Sequence, residues 1–280
     1  MNDKEVYIIT GATGGMGKVL TEKLYRSGKS VLMACRNEER ARNFIEELPS
    51  LSATPRPLVR HLDLASFDSV RNFVENIRKE GFRIKALVHN AGTLNQQCRI
   101  TPDHFEQMTQ VNYLSPYLLT RLLLPGMDQE GRIVCTSSCT WRLGNLQSDL
   151  FRQSLEHFHM FRTYGSSKLA ILAFTAELAH RCRHTGITVN AVDPGVVDTP
   201  MITMHRWFDP LTNLFFRPFI KTAEEGAATT LYLTCSEEVK RENGTFWKNK
   251  RRQRMPRLLT QRDVCQQLWE KTEKQVAAYL

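Results

Sequence analysis

Glu5-Val6-Tyr7-Ile8-Ile9-Thr10-Gly11-Ala12-Thr13-Gly14-Gly15-Met16-Gly17 stands almost at the start of this 280-residue chain. Apolar β-branched and aromatic residues give way at once to glycines, which predicts a buried strand over 5–10 turning directly into a helix over 15–27. The same alternation repeats outward: strand 30–35, helix 38–48, strand 58–62, helix 66–80, strand 86–89, a long helix 102–124 and strand 132–136. An irregular stretch at 141–159 leads to a helix at 166–184 and a strand at 187–192, ending at Asp193-Pro194-Gly195. An aromatic-rich segment 201–220, a helix 223–235, a short strand 245–247 and a terminal helix 260–274 complete the chain. Short apolar strands separated by amphipathic helices imply an α/β fold: one domain spanning 1–280, with a doubly wound parallel sheet of about seven strands.

Composition is that of an ordinary globular protein, 41% hydrophobic and 24% charged. The seven cysteines form no C-x-x-C pair, and their odd number suits reduced, buried thiols; no metal site is expected. The charged N-terminus lacks the apolar core of a cleavable leader, and no eighteen apolar residues run together, so a cytoplasmic chain without a membrane span is expected. The net charge of +9 gathers at Lys248, Lys250, Arg251, Arg252, Arg254 and Arg257, within ten residues that hold no acid. That run reads either as a solvated basic edge beside an anionic ligand or as a patch for an anionic membrane surface; a nucleic-acid partner is not expected.

In a parallel sheet the ligand crevice lies beyond the carboxyl ends of the strands, and the distinctive residues fall there. Gly11, Thr13, Gly15, Met16 and Gly17 open a helix whose first amides can approach a pyrophosphate. After the second strand an acid would bind the ribose 2′-hydroxyl of NAD, but Arg36 and Asn37 stand there instead. Arg36 can pair with a 2′-phosphate, which favours NADP(H). Asp63, followed by Leu64, either accepts from the adenine amino group or caps the next helix. Asn90, Ala91 and Gly92 end the fourth strand, where small residues let a dinucleotide pass. His89 before them reads as a packed strand-end residue.

Tyr164 and Lys168 stand four residues apart, on one face of a helix if it has begun by then. A phenol of ordinary pKa ~10 is a poor base near neutrality, and a neighbouring ammonium would stabilise its phenolate. Taken in order, the glycine turn, Asn90-Ala91-Gly92, Asn112, Ser137-Ser138, Tyr164, Lys168 and Pro194-Gly195 resemble the short-chain dehydrogenase/reductase family from about residue 6 to 199. Ala34-Cys35-Arg36, the long interval from Ser138 to Tyr164 and Asp193-Pro194-Gly195-Val196-Val197 look most like its retinol dehydrogenase group. The resemblance implies a Rossmann-type fold and a tetrad in which Tyr164 exchanges the proton, Ser138 bonds the substrate oxygen, Lys168 holds the nicotinamide ribose and Asn112 supports a water relay. It also implies that Pro194, Gly195, Val197 and Thr199 wrap the nicotinamide and its phosphate. Ser137 is the alternative to Ser138, and Met16 departs from the usual isoleucine.

Met201, Met204, Trp207, Phe208, Phe215, Phe216 and Phe219 suggest a greasy lid over 201–220, with Trp141, Phe151, Phe158 and Phe161 on the opposite wall; His157 and His159 read as loop surface. The expected activity is hydride transfer between NADP(H) and a hydrophobic carbonyl or alcohol substrate. The alternative is a non-catalytic NADP(H)-binding sensor or scaffold whose basic segment meets a partner. Family habit implies a homo-oligomer, and peripheral membrane contact through lid and basic segment stays open.

Overall fold

The structure, a computed structural model, describes residues 4–146, 150–151, 158–198 and 220–280. Strands β1 (Glu5–Thr10), β2 (Val31–Cys35), β3 (Leu58–His61), β4 (Arg83–His89), β5 (Met127–Thr136), β6 (Thr188–Val192), β7 (Phe246–Lys248) and β8 (Arg251–Gln253) form one sheet in the order β3-β2-β1-β4-β5-β6-β7-β8. All neighbours pair in parallel except β7 and β8. Helices α1 (Gly15–Arg26), α2 (Glu38–Glu47), α3 (Phe67–Glu80), α4 (Ser115–Leu123), α5 (Met160–Arg181), α6 (Ala223–Cys235) and α7 (Arg262–Val276) cover the sheet.

Alternate side chains of β1 serve two cores, as a strand buried on both faces requires. Tyr7 and Ile9 pack with Leu24 of α1, Phe44 of α2 and Ala227 of α6. Val6 and Ile8 pack with Val70 of α3, Leu118 of α4 and Leu172 of α5. The chain leaves β1 toward β2 and β3, then returns to the other side of β1 with β4. A crevice opens at that reversal, past the carboxyl ends.

The sheet has eight strands, one more than the pattern suggested, because β8 turns back along β7 inside the basic run. Arg251, Arg252, Gln253 and Arg254 are exposed there, and charged side chains on an outer strand disfavour pairing with another edge. The 102–124 segment is not one helix. His104 takes a left-handed conformation (φ 65°) and Glu106 an extended one, its carboxylate capping Met108 and Thr109. A helical turn at Gln107–Thr109 then widens into a π-helix at Gln110–Leu114 before α4 begins. The cysteines also depart from expectation: Cys35, Cys135, Cys182 and Cys265 are buried, but Cys98 and Cys139 are half-buried, and Cys235, the last residue of α6, is exposed. No helix among the described residues is long and apolar enough to cross a membrane.

The last helix closes the core. Trp269 of α7 stacks on Phe174 of α5 with ring centroids 5.9 Å apart and meets Tyr117 of α4 edge-on at 4.8 Å. The Arg181 guanidinium lies 4.3 Å over the same indole, and Tyr113 shares a 2.6 Å hydrogen bond with Thr272. Part of the surface of α4 and α5 is thus covered from within the chain. Because Trp269 is buried on several sides at once, Trp269→Ala is expected to cost about 3–5 kcal/mol. Urea unfolding of both proteins measures this, and equal midpoints would show that the indole contributes nothing.

Candidate active site

The crevice measures about 800 Å³, at the upper end of the range for small-molecule sites. One wall is the turn from β1 into α1. Gly11 has φ 63°, and a Cβ there would lie 2.8 Å from Ala91 Cα. A Cβ on Gly17 would lie 2.3 Å from Gly11 O, so both positions need glycine for the turn to close. The N-cap of α1 is Gly14, with no side-chain cap and no acid in the first turn. Its leading amides therefore remain available to an anion, flanked by Thr13, Gly15 and Met16 on the crevice wall.

Arg36 lies at the end of β2, and Arg40 stands one turn along α2; both are exposed and line the crevice. No carboxylate among the described residues forms a salt bridge with either. Asn37 also lines the crevice, but its Oδ1 accepts the Arg40 amide and caps α2. Asp63 Oδ1 accepts the Ala65 amide, while the N-cap of α3 is Ser66, so Asp63 is not that cap. Leu64 is buried beside it and lines the crevice. Asn90 donates from Nδ2 to Thr10 O (3.1 Å) and Gly11 O (3.2 Å), and the Ala91 amide donates to Thr10 Oγ1, tying the ends of β1 and β4 together.

Helix α5 begins six residues before the expected start, which puts Tyr164 inside it and one turn from Lys168. Gly165 favours helix weakly, so the sequence pattern places the helix start only after it. A Cβ on Gly165 would lie 2.4 Å from Thr140 O, so the segment packs against the loop after β5 too closely for larger residues. Tyr164 is hydrogen-bonded to Ser138, and Lys168 Nζ lies 5.6 Å from the Tyr164 ring centroid. Ser137, the alternative, is buried and donates to Lys168 O at 2.9 Å.

The electrostatics differ from the simplest expectation. Burial pushes the Tyr164 phenol up to about 12, against a smaller downward pull from the Ser138 hydrogen bond. Burial pushes the Lys168 ammonium down to about 8. In the protein alone, loss of water dominates at the phenol, while Lys168 Nζ donates to Thr136 O (3.0 Å).

Asn112 sits in the π-helix. Its Oδ1 accepts the Thr93 amide, and its Nδ2 donates to Thr93 O (3.0 Å) and Ser167 Oγ (3.1 Å). The side chain is therefore used within the protein. Pro116 has no N–H, so the Asn112 carbonyl lacks its ordinary α-helical donor. A Cβ on Gly92 would lie 3.3 Å from Lys168 Nζ and 3.4 Å from Asn112 Oδ1; Gly92 and Lys168 line the crevice, and the buried Asn112 lies next to them.

Pro194, Gly195, Val196 and Val197 form the far wall. Two lysines hold this loop: Lys221, which sequence reading missed, donates to Pro194 O (3.0 Å), and Lys248, read there only as part of the basic run, pairs with Asp193 (3.1 Å). Arg40, one helical turn after Arg36, could have been found from spacing; Lys221 carries no local signal. Thr199, His157 and the lid apart from Ile220 lie outside the described residues. Of the four aromatics assigned to the opposite wall, Phe161 lines the crevice, whereas Trp141 and Phe151 pack against the core. Phe158 does not line it, and His159 is exposed. His89 is buried, its Nε2 2.7 Å from Thr120 Oγ1, and burial lowers it to about 3.

Bare amides at a helix start, two uncommitted arginines and a buried lysine fit a dinucleotide carrying several phosphates. Residues 5–207 match the short chain dehydrogenase family. Human retinol dehydrogenase 14 is 35% identical, over 99% of this chain and 87% of its own length. Mouse retinol dehydrogenase 12 is 33% identical, over 95% and 84%. A putative uncharacterized protein from Mycobacterium paratuberculosis superposes with TM-score 0.75 at 26% identity, over 98% of this chain and 93% of that one. A Burkholderia cenocepacia short chain dehydrogenase in complex with NADP superposes at TM-score 0.71 and 24% identity, over 88% and 96%, and shows the shared fold. With the family matched over residues 5–207 and relatives 33–35% identical along almost the whole chain, the chain belongs to the short-chain dehydrogenase/reductase oxidoreductases.

Proposed function

We propose that this protein reduces or oxidises a lipophilic carbonyl or alcohol with NADP(H), and that Ser138, Tyr164 and Lys168 carry the chemistry. The observation behind this is the convergence of the Ser138–Tyr164 hydrogen bond and the buried Lys168 at the mouth of a sheet whose opposite wall presents Arg36 and Arg40. When bound, the dinucleotide supplies or accepts the hydride. Tyr164 gives its proton to the substrate oxygen as charge grows there, and Ser138 donates to the same oxygen. Lys168 would hold the nicotinamide ribose with the N–H groups it does not give to Thr136 O. Asn112 fixes the floor beneath them and offers its carbonyl to water. Arg36 and Arg40 take the 2′-phosphate, with Asp63 beside the adenine.

Leu94, Val111, Phe161 and Val196 support an apolar substrate: all four line the crevice, and Phe161 and Val196 are 49% and 43% exposed. The names of the retinol dehydrogenase relatives point the same way. No observation favours the non-catalytic sensor. Any homo-oligomer has to use surface other than the part of α4 and α5 under α7. A panel of hydrophobic aldehydes and ketones, followed by loss of NADPH absorbance, tests the reading; silence across the panel would overturn it.

Tyr164→Phe keeps the ring and removes the proton, so turnover is expected to fall by roughly a hundredfold to ten-thousandfold while NADPH affinity stays near that of the parent. Steady-state rates and fluorescence titration separate the two quantities. The double variant Arg36→Ala with Arg40→Ala is expected to weaken NADPH by about tenfold or more and leave NADH unchanged, because only NADPH carries the 2′-phosphate. Equal losses for both cofactors would argue for general damage.

Lys168 predicts a pH dependence whose sign follows from its lowered pKa. The ammonium is present below about 8, so the reduction rate should be level near neutrality and decline above that pH. Because the folded pKa lies below the unfolded 10.5, unfolding takes up a proton between the two values, and stability rises with pH through that window. Lys168→Met should therefore raise the melting temperature at pH 7 by a few degrees while abolishing activity; thermal unfolding at two pH values checks it.

A further inference from the structure

Thr136, the last residue of β5, lines the crevice, and 7% of its surface is exposed. Its Oγ1 is shielded from solvent and has no hydrogen-bond partner. Other hydroxyls around it are satisfied. Thr10 Oγ1 donates to Val88 O and accepts from Asn90 and Ala91, Ser137 donates to Lys168 O, and Ser138 accepts from the Thr140 amide. Thr140 Oγ1 is also without a partner, but it lies past the end of β5, two residues after Ser138. Thr136 belongs to the floor. Its carbonyl holds Lys168 Nζ, and it pairs in register with Val192, one residue before the Asp193–Val197 loop.

A buried hydroxyl left without a partner is worse than a methyl group of the same shape, so a strand end packed with valine would be more stable. A threonine there makes physical sense if something entering the crevice accepts its proton. The residues around it are those assigned to the nicotinamide half; Arg36 and Arg40 lie at the opposite end. We infer that Thr136 donates a hydrogen bond to an oxygen of the nicotinamide riboside in bound NADP(H), acting with Lys168 to position the ring. The inference rests on the cofactor reading above.

Thr136→Val preserves shape and removes the hydroxyl, and Thr136→Ser keeps it. Each is titrated calorimetrically with NADPH and with adenosine 2′,5′-bisphosphate, which carries the phosphate-bearing half but no nicotinamide. The valine variant is expected to bind NADPH about fivefold to tenfold more weakly and the bisphosphate as tightly as the parent. Serine recovers most of the loss, and the melting temperature of the ligand-free valine protein is no lower than the parent's. Unchanged NADPH binding by the valine variant, equal loss of both ligands, or a serine variant as weak as valine each overturn the inference. A parent protein that binds neither ligand overturns the cofactor reading instead, which keeps the two failures apart.

Discussion

One ammonium group buried at the carboxyl edge of the sheet organises this site. Lys168 is 3% exposed, and burial alone drives its pKa from 10.5 to about 8. Such a group is tolerated only where neighbouring dipoles compensate, and the fold supplies them: the Thr136 carbonyl accepts its proton, and Asn112 Oδ1 borders it across Gly92. The backbone beneath is tied equally firmly, since Ser137 bonds Lys168 O and the Asn112–Ser167–Tyr164 chain fastens the π-helix to α5. Strand end, π-helix and α5 must all be in place for the ammonium to be held, so the fold and the site are specified by the same contacts.

Much of this was legible in the sequence. The glycine turn after β1 and the alternation of apolar strands with amphipathic helices carry the architecture, since each is a local pattern. The true lengths of β4 and β5 were not readable. Arg83, Lys85 and Asp128 look like loop residues, yet they sit on strands because they neutralise one another and Glu5 at the amino edge of the sheet. The broken 102–124 helix was hidden for a different reason. Left-handed His104 and the π turn are set by tertiary contacts, among them Asn112 with Thr93 and Asp103 with the Phe67 amide. Among site residues, Tyr164 and Lys168 announce themselves by spacing, whereas Thr136 has no sequence signal because a missing partner is visible only in three dimensions.

The basic run shows how a charge pattern can be evident while its structural meaning is not. Asn249 and Lys250 both adopt left-handed conformations (φ 52° and 55°), the geometry of a two-residue hairpin that matches the twist of its strands. Lys248 leaves the run to pair with Asp193, and Asn249 accepts from Lys221 as that lysine also holds Pro194 O. Part of the positive charge therefore stabilises the Asp193–Val197 loop on the far wall of the crevice. The arginines of β8 remain on the outer edge, where they keep a short strand from pairing further.

The arrangement also bears on why the proposed proton source is a phenol and not the nearby imidazole. His89 directly precedes Asn90, but Thr120 donates its single proton to Pro116 O, so the 2.7 Å contact requires His89 Nε2 to be the donor. With that proton committed and its pKa lowered to about 3, the ring stays neutral and fixed across the physiological range. Tyr164 is also deprived of water, yet its hydroxyl meets Ser138 at the crevice surface, where a substrate oxygen can reach both. Burial raises the phenol and lowers the ammonium, and in the proposed reaction both keep that tendency until a substrate oxygen reaches Tyr164 and Ser138. Charge developing on that oxygen reverses the balance, and donors already fixed in a water-poor space respond without reorganising.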